Sequence, residues 1–120
     1  MAEASNHAAR LVPIEDAAAL EELFARSAEA PVLLFKHSTT CPISSHAHRE
    51  MSRLDAGAAS QVSLVVVQTA RAVSNEIAQR TGVRHESPQA IVLRNGRPVW
   101  TASHYDITAA EVERAVRENV

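Results

Sequence analysis

The 120-residue sequence has only one cysteine, so it cannot form an internal disulfide bond. It also has no apolar run approaching the roughly 18 to 20 residues that a membrane-spanning helix needs. The first residues, MAEASNHAARLVP, lack the basic segment followed by an apolar segment that marks a secretory signal peptide. From these absences we expect a cytoplasmic protein, in a compartment where thiols stay reduced.

Excess charge of either sign is missing as well. Lysine and arginine together number 12 against 14 acidic residues, for a formal net charge of −2, and no cluster of basic residues interrupts this balance. We therefore expect no nucleic-acid partner and no membrane partner. Hydrophobic residues make up 46% and charged residues 22%, which is typical of a globular protein. The length predicts one domain over 1–120, with a loose arm at 1–7.

What the sequence does contain is an alternation of helical and extended patterns. Apolar spacing predicts four helices, and buried or alternating runs predict the strands. The helices are predicted at 16–28, from just after Cys41 to near Gly57, at 74–81 and at 107–119; the strands are predicted at 32–36, at 62–68 and as a hairpin within 89–104, with a short edge strand at 11–13. This order predicts an α/β fold with a central mixed β-sheet and helices on both faces, the thioredoxin-like arrangement.

Local turn signals support these boundaries. Asn95-Gly96 is the favoured two-residue turn of a hairpin. Gly82 follows a predicted helix end, where a left-handed residue is common. Thr108 and Glu111 have the spacing of a capping box at the start of the last helix.

Cys41 lies where a buried strand gives way to a helix, in the polar stretch HSTTCP. Pro42 suits the first turn of that helix, because its missing N–H would have no partner there. The unpaired N–H groups and the positive end of the helix dipole favour a thiolate over a thiol. The thiolate is the attacking species in disulfide exchange. A buried cysteine serving as a small apolar filler is the alternative, and the polar neighbours argue against it.

A metal site is a second alternative for this stretch. Cys41, His46 and His48 form a C-x4-H-x-H pattern. On a helix, however, His46 points about 140° away from Cys41, and His48 lies about 10 Å along the axis. Zinc ligands must all lie within about 2.0–2.3 Å of one ion. The spacing therefore predicts no metal site, and we interpret the two histidines as solvated surface residues.

Three motifs give the sequence a family resemblance: KHSTTCPIS (36–44), HESPQA (85–90) and W-x-x-SHYDIT (100–108). Together they resemble the monothiol bacilliredoxins, also called bacilliredoxin C, within the thioredoxin superfamily. The resemblance extends from about Ile14 to Val116. It implies a function in bacteria that use bacillithiol as their small thiol, namely removal of bacillithiol from protein mixed disulfides.

The resemblance also implies roles for individual residues. Cys41 would be the catalytic, attacking thiol, and Ser44 stands where a dithiol relative carries its second cysteine. The Ser87–Pro88 bond should be cis, with the backbone beside it aligning the target disulfide. No tightly bound cofactor is implied, and bacillithiol would be the thiol co-substrate. The partners would be bacillithiolated client proteins, with free bacillithiol or a partner oxidoreductase resolving the Cys41 adduct.

Bacillithiol carries carboxylates, so a cation near Cys41 would help to bind it. Lys36 is the nearest candidate and the only lysine among eleven arginines, while Arg84 is a weaker candidate; an ordinary solvated lysine at the strand end is the alternative. We also place Thr40 and Pro42, which flank the cysteine, with Ser44, Ser87 and Pro88 among the substrate-binding residues.

Two other functions remain open at this point. The protein could be a non-catalytic redox sensor in which Cys41 simply becomes capped by a small thiol. It could also be a module that holds an iron–sulfur cluster between two subunits, although such clusters usually need four thiolates.

Overall fold

The computed structural model describes residues 9–55 and 61–120. The described strands and helices, in chain order, are β1 (Arg10–Pro13), α1 (Ala17–Arg26), β2 (Val32–His37), α2 (Pro42–Ser52), β3 (Gln61–Val66), α3 (Arg71–Thr81), β4 (Gln89–Arg94), β5 (Arg97–Ser103) and α4 (Ala109–Glu118). A short 3-10 turn at His104–Asp106 joins β5 to α4. No helix in these two ranges has both the length and the apolar character that crossing a bilayer requires.

The predicted order of elements is confirmed, with differences at helix ends and at the end of β3, which stops at Val66 rather than Gln68. The third helix begins at Arg71 rather than Ser74, since the Ser74 N–H already donates to the Ala70 carbonyl. The second helix ends at Ser52, and its predicted end near Gly57 lies outside the described residues, as does the predicted arm at 1–7.

The five strands form one mixed sheet in the order β1-β3-β2-β4-β5. Both neighbours of β3 run parallel to it, and β4 runs antiparallel to both β2 and β5. The helix α2 forms the crossover between the parallel strands β2 and β3, as parallel pairing requires. All six residues of the central strand β2 are buried, which explains its continuous apolar run.

Two hydrophobic cores cover the two faces of this sheet. On one face Phe35 packs with Met51 of α2 and Val112 of α4. On the other face Leu34 packs with Leu23 of α1 and Ile77 of α3. Because successive side chains of a strand point to opposite faces, β2 contributes to both cores. The predicted α/β fold with helices on both faces is thus confirmed.

The turn signals also correspond to the structure. Asn95 and Gly96 have φ values of 56° and 74°, and Gly82 has φ 73°, all in the left-handed region. The Thr108 hydroxyl accepts from the Glu111 N–H at 3.3 Å, which forms one half of the capping box. The Glu111 carboxylate pairs with Arg114 instead of completing the other half.

Candidate active site

Cys41 is the N-terminal cap of α2, four residues beyond the end of the central strand β2. Its backbone is extended, with φ −104° and ψ 123°, and Pro42 is the first residue of the helix. The cysteine is half-buried, so the residue keeps part of its surface in solvent. The polar loop Ser38–Thr40 separates it from β2 and presents it at the edge of the sheet.

Hydrogen bonds from the first turn of α2 favour the thiolate. The backbone N–H of Ser44 contributes most to lowering the pKa of the Cys41 thiol below its usual value. The backbone N–H of Ile43 and the hydroxyl of Ser44 lower it further, while desolvation opposes them. These are neutral donors of the helix terminus that the sequence predicts.

Ser44 joins this turn to the preceding loop. Its side chain is fully buried, and its hydroxyl oxygen accepts from the backbone N–H of Ser38 at 3.2 Å. The hydroxyl hydrogen remains available for the Cys41 sulfur, because a hydroxyl both accepts and donates. The N–H and the hydroxyl of Ser44 thus both favour the Cys41 thiolate.

Thr40 belongs to the loop's own hydrogen-bond network. Its hydroxyl lies 3.3 Å from the Ser38 hydroxyl and accepts from the Gln68 amide at 3.2 Å. It is exposed and directly precedes Cys41, and its part in substrate binding stays a prediction. Sequence reasoning did not single out Gln68, because its role depends on the pairing of β3 with β2.

Lys36 lies elsewhere than the sequence predicts. Its side chain is 1% exposed and extends toward α3, on the face of the sheet opposite α2. The ammonium donates to the Ser74 carbonyl at 3.1 Å and to Nδ1 of His85 at 3.1 Å. This burial contradicts both the predicted contact of Lys36 with a substrate carboxylate and the alternative of a solvated lysine. Because successive side chains of β2 point to opposite faces, Lys36 points to the face that α1 and α3 cover.

Burial has electrostatic consequences for this lysine and its partner. Desolvation lowers the pKa of Lys36 from 10.5 to about 8. Burial, followed by the Lys36 charge, lowers the pKa of His85, so an unprotonated Nδ1 accepts from the ammonium. The lysine thus links β2 to α3 and to the loop that precedes Pro88.

Gln89 supports the same loop beside Lys36. The two residues are register partners in the β2–β4 pair. Gln89 is 2% exposed, and its amide nitrogen donates to the Arg84 carbonyl at 2.8 Å. The Arg84 side chain itself is exposed. The buried ammonium of Lys36 and the buried amide of Gln89 therefore both donate hydrogen bonds to the segment 82–87.

The Ser87–Pro88 peptide bond is cis, as the family resemblance implies. Pro88 is buried, and its carbonyl accepts from the His104 N–H at 3.1 Å. The Ser87 hydroxyl is buried with no hydrogen-bond partner among the described residues. Since Gln89 pairs with Lys36, Pro88 lies at the same edge of the sheet as the Cys41 loop.

The histidines near Cys41 are less exposed than predicted. His48 is half-buried, and its ring lies 4.9 Å from that of His37, which in turn stacks on Phe35 at 5.6 Å. His46 is half-buried beside Tyr105, at 5.5 Å between ring centroids. His46 and His48 are therefore only partly solvated, because α2 packs its histidines against β2 and the 3-10 turn.

His37 is a neutral neighbour of this helix near pH 7. Burial, followed by the charge of His48, lowers its pKa, and a backbone hydrogen bond with Ser44 only partly opposes this. His37 therefore supplies no positive charge to Cys41 at neutral pH. Across residues 9–55 and 61–120, no three histidine, cysteine or acidic side chains are grouped in a way that could hold a metal ion.

The mixed sheet, the helix-capping cysteine and the cis-proline at the same edge define the class of thioredoxin-fold redox proteins. A solved structure described as a candidate oxidoreductase with a thioredoxin fold is 29% identical, with TM-score 0.79, covering 96% of this chain and 98% of that chain. Thioredoxin from Schistosoma mansoni is 18% identical, with TM-score 0.71 and coverages of 93% and 100%. A protein named Trxlp from Edwardsiella tarda is 24% identical, with TM-score 0.67 and coverages of 88% and 97%.

A family model narrows this class. Residues 12–112 match the model described as monothiol bacilliredoxin BrxC. The chain therefore belongs to the monothiol bacilliredoxin family, and family and fold together support a redox function.

Proposed function

We propose that this protein is a monothiol oxidoreductase that removes bacillithiol from protein mixed disulfides through Cys41. The observation that carries the proposal is the pairing of a half-exposed Cys41, hydrogen-bonded as a thiolate, with a buried serine where a second thiol would stand. Membership of the monothiol bacilliredoxin family supports bacillithiol as the small thiol.

In the proposed reaction, the Cys41 thiolate attacks the bacillithiol sulfur of a protein–S–S–bacillithiol substrate. A disulfide bond forms between Cys41 and bacillithiol as the original S–S bond breaks. The client protein's sulfur leaves with the bonding electron pair and takes a proton from water. The client thiol is thereby reduced, and Cys41 is left as its bacillithiol adduct.

Resolution needs a second molecule, because the sequence contains no other cysteine. The thiolate of free bacillithiol would attack the adduct, giving bacillithiol disulfide and the Cys41 thiolate. A partner oxidoreductase could supply the resolving thiol instead. Ser44 cannot do so, since a hydroxyl forms no disulfide.

Intact-mass spectrometry after exposure to oxidised bacillithiol, and separately to oxidised glutathione, tests the choice of thiol. We expect one bacillithiol per chain, removed again by free bacillithiol, and much slower addition of glutathione. The Cys41→Ala variant should gain no mass from either disulfide. Equal rates of addition by both disulfides would contradict bacillithiol selectivity.

Whether this adduct turns over repeatedly distinguishes a catalyst from a sensor. A catalyst should release client thiol over many cycles when free bacillithiol is supplied. A sensor should stop after one adduct per chain, and that outcome would contradict the proposed activity.

A further inference from the structure

Gln68 lies immediately beside the loop that carries Cys41. The N–H of Val67 donates to the His37 carbonyl at 2.9 Å, so the backbone that leaves β3 follows β2 past its end. Gln68 is the next residue, and its exposed side chain reaches across to Ser38–Thr40. No sequence motif marks this residue.

The amide of Gln68 contacts every residue of that loop. Its oxygen Oε1 accepts from the Thr39 N–H at 3.3 Å. Its nitrogen Nε2 donates to the Ser38 hydroxyl at 2.8 Å and to the Thr40 hydroxyl at 3.2 Å. A primary amide has two donor hydrogens and a carbonyl acceptor, and here both ends are used.

This set of contacts fixes the orientation of the amide. Turning it over would place Nε2 against the Thr39 N–H, so that two donors would face each other. The Ser38 and Thr40 hydroxyls lie 3.3 Å apart and can both accept from the same nitrogen. Gln68 therefore matches the loop in one arrangement only.

The loop then sets the position of two groups next to the sulfur. The Ser38 N–H donates to the Ser44 hydroxyl oxygen at 3.2 Å, and the Ser38 carbonyl accepts from the Cys41 N–H at 3.5 Å. With its oxygen occupied by Ser38, the Ser44 hydroxyl has its hydrogen free for the Cys41 sulfur.

We propose that Gln68 is a positioning residue that holds the Ser38–Thr40 loop so that the Ser44 hydroxyl donates to the Cys41 thiolate. The inference rests on the proposed role of Cys41 as the attacking thiolate. It adds a residue from the turn after β3 to a site otherwise built from β2, α2 and the Pro88 segment.

The test is the rate of alkylation by iodoacetamide against pH for wild type, Gln68→Leu, Ser44→Ala and the double variant. Gln68→Leu should raise the thiol pKa and slow alkylation at pH 7 by about threefold, the effect of a weakened hydrogen bond. Because Gln68 acts through Ser44, Gln68→Leu should cause no further slowing in the Ser44→Ala background.

Gln79→Leu is the matched control, since Gln79 is also an exposed glutamine but lies on α3. Ser38→Ala is the second variant, because it removes the acceptor of the shortest Gln68 contact and should shift the profile in the same direction. A wild-type pH profile in Gln68→Leu would overturn the proposal, whether or not the melting temperature falls. Equal slowing in both backgrounds would overturn it as well.

The assay needs neither bacillithiol nor a client protein, so its outcome is separate from that of the proposed function. If bacillithiol transfer fails while the double-variant pattern holds, the thiol class is wrong and the role of Gln68 stands.

Discussion

Two loops meet at the active edge of the sheet, and they are held by different chemistry. The loop Ser38–Thr40 is held from the side by Gln68, an exposed neutral amide. The segment 82–87 is held from beneath by the ammonium of Lys36 and the amide of Gln89, both nearly fully buried.

These two ways of holding a loop affect different properties: the reactivity of Cys41 in the first case and the stability of the fold in the second. Hydrogen bonds to water-exposed groups contribute little to folding but can set the geometry around a reactive atom. A buried ammonium is costly to desolvate, and removing it leaves its surroundings unfilled. We therefore expect changes around Gln68 and Ser44 to alter the thiol, and changes at Lys36 to alter the stability of the fold.

The largest expected effect comes from giving the reactive loop a second thiol. Ser44→Cys places a sulfur in the first turn of the helix that Cys41 caps. The second thiol should attack the bacillithiol adduct and release it without any external thiol. Intact mass should then show an internal disulfide, two hydrogens lighter than the reduced chain. A persistent bacillithiol adduct in this variant would show that position 44 is not placed for resolution.

Among single changes to the buried residues that contact the segment 82–87, Lys36→Ala should destabilise the fold most. Loss of its aliphatic stem and both hydrogen bonds should lower the free energy of unfolding by about 2–4 kcal/mol. Urea denaturation measures this, with Gln79→Ala as an exposed control. The alkylation profile of Cys41 should stay close to wild type below the unfolding transition. A changed alkylation profile of Cys41 with an unchanged free energy of unfolding would show that Lys36 acts on the thiol and not on the stability of the fold.

The ionisation of Lys36 gives a smaller, pH-dependent effect. Its folded pKa of about 8 lies below its ordinary value of 10.5. Between these pH values the unfolded chain binds a proton that the folded chain does not, so stability rises with pH. The rise is at most about 1.4 kcal/mol per pH unit for one proton.

Lys36→Met should lose that contribution while keeping most of the side-chain volume. The difference in unfolding free energy between wild type and the variant, measured from pH 7 upward, isolates it from the titration of Cys41 and of the other groups that the two proteins share. Parallel curves for the two proteins would mean that Lys36 is not desolvated.

The smallest expected effect is that of salt on the thiol. Neutral N–H and hydroxyl donors stabilise the Cys41 thiolate, and the buried ammonium of Lys36 is directed to α3 on the other face of the sheet. Alkylation by neutral iodoacetamide at pH 7 should therefore change by less than about twofold between roughly 0.02 and 0.5 M salt. A steep decline with salt would point to a charged group acting directly on the sulfur.

The sequence predicted the order of elements because each carries its own periodicity or turn residue. Pro42, Gly82 and Asn95-Gly96 are local signals whose meaning does not depend on distant residues. Cys41 at the helix cap follows from the same local evidence.

Sequence alone could not place the residues whose roles come from strand pairing. Lys36 looks like a solvated strand-end residue until the sheet alternation and α3 turn it inward. Gln68 is distant from Cys41 in sequence and reaches its loop only because β3 pairs with β2. His48 contacts His37 for a similar reason, through the packing of α2 on β2.

The most direct test of the central claim follows one cycle with a bacillithiolated client protein in the absence of free bacillithiol. The account predicts one equivalent of client thiol released per chain, together with one bacillithiol on Cys41, and then no further release until free bacillithiol is added. Cys41→Ala should release none. Continued release without added thiol, or release by Cys41→Ala at the wild-type rate, would contradict a monothiol reaction at Cys41.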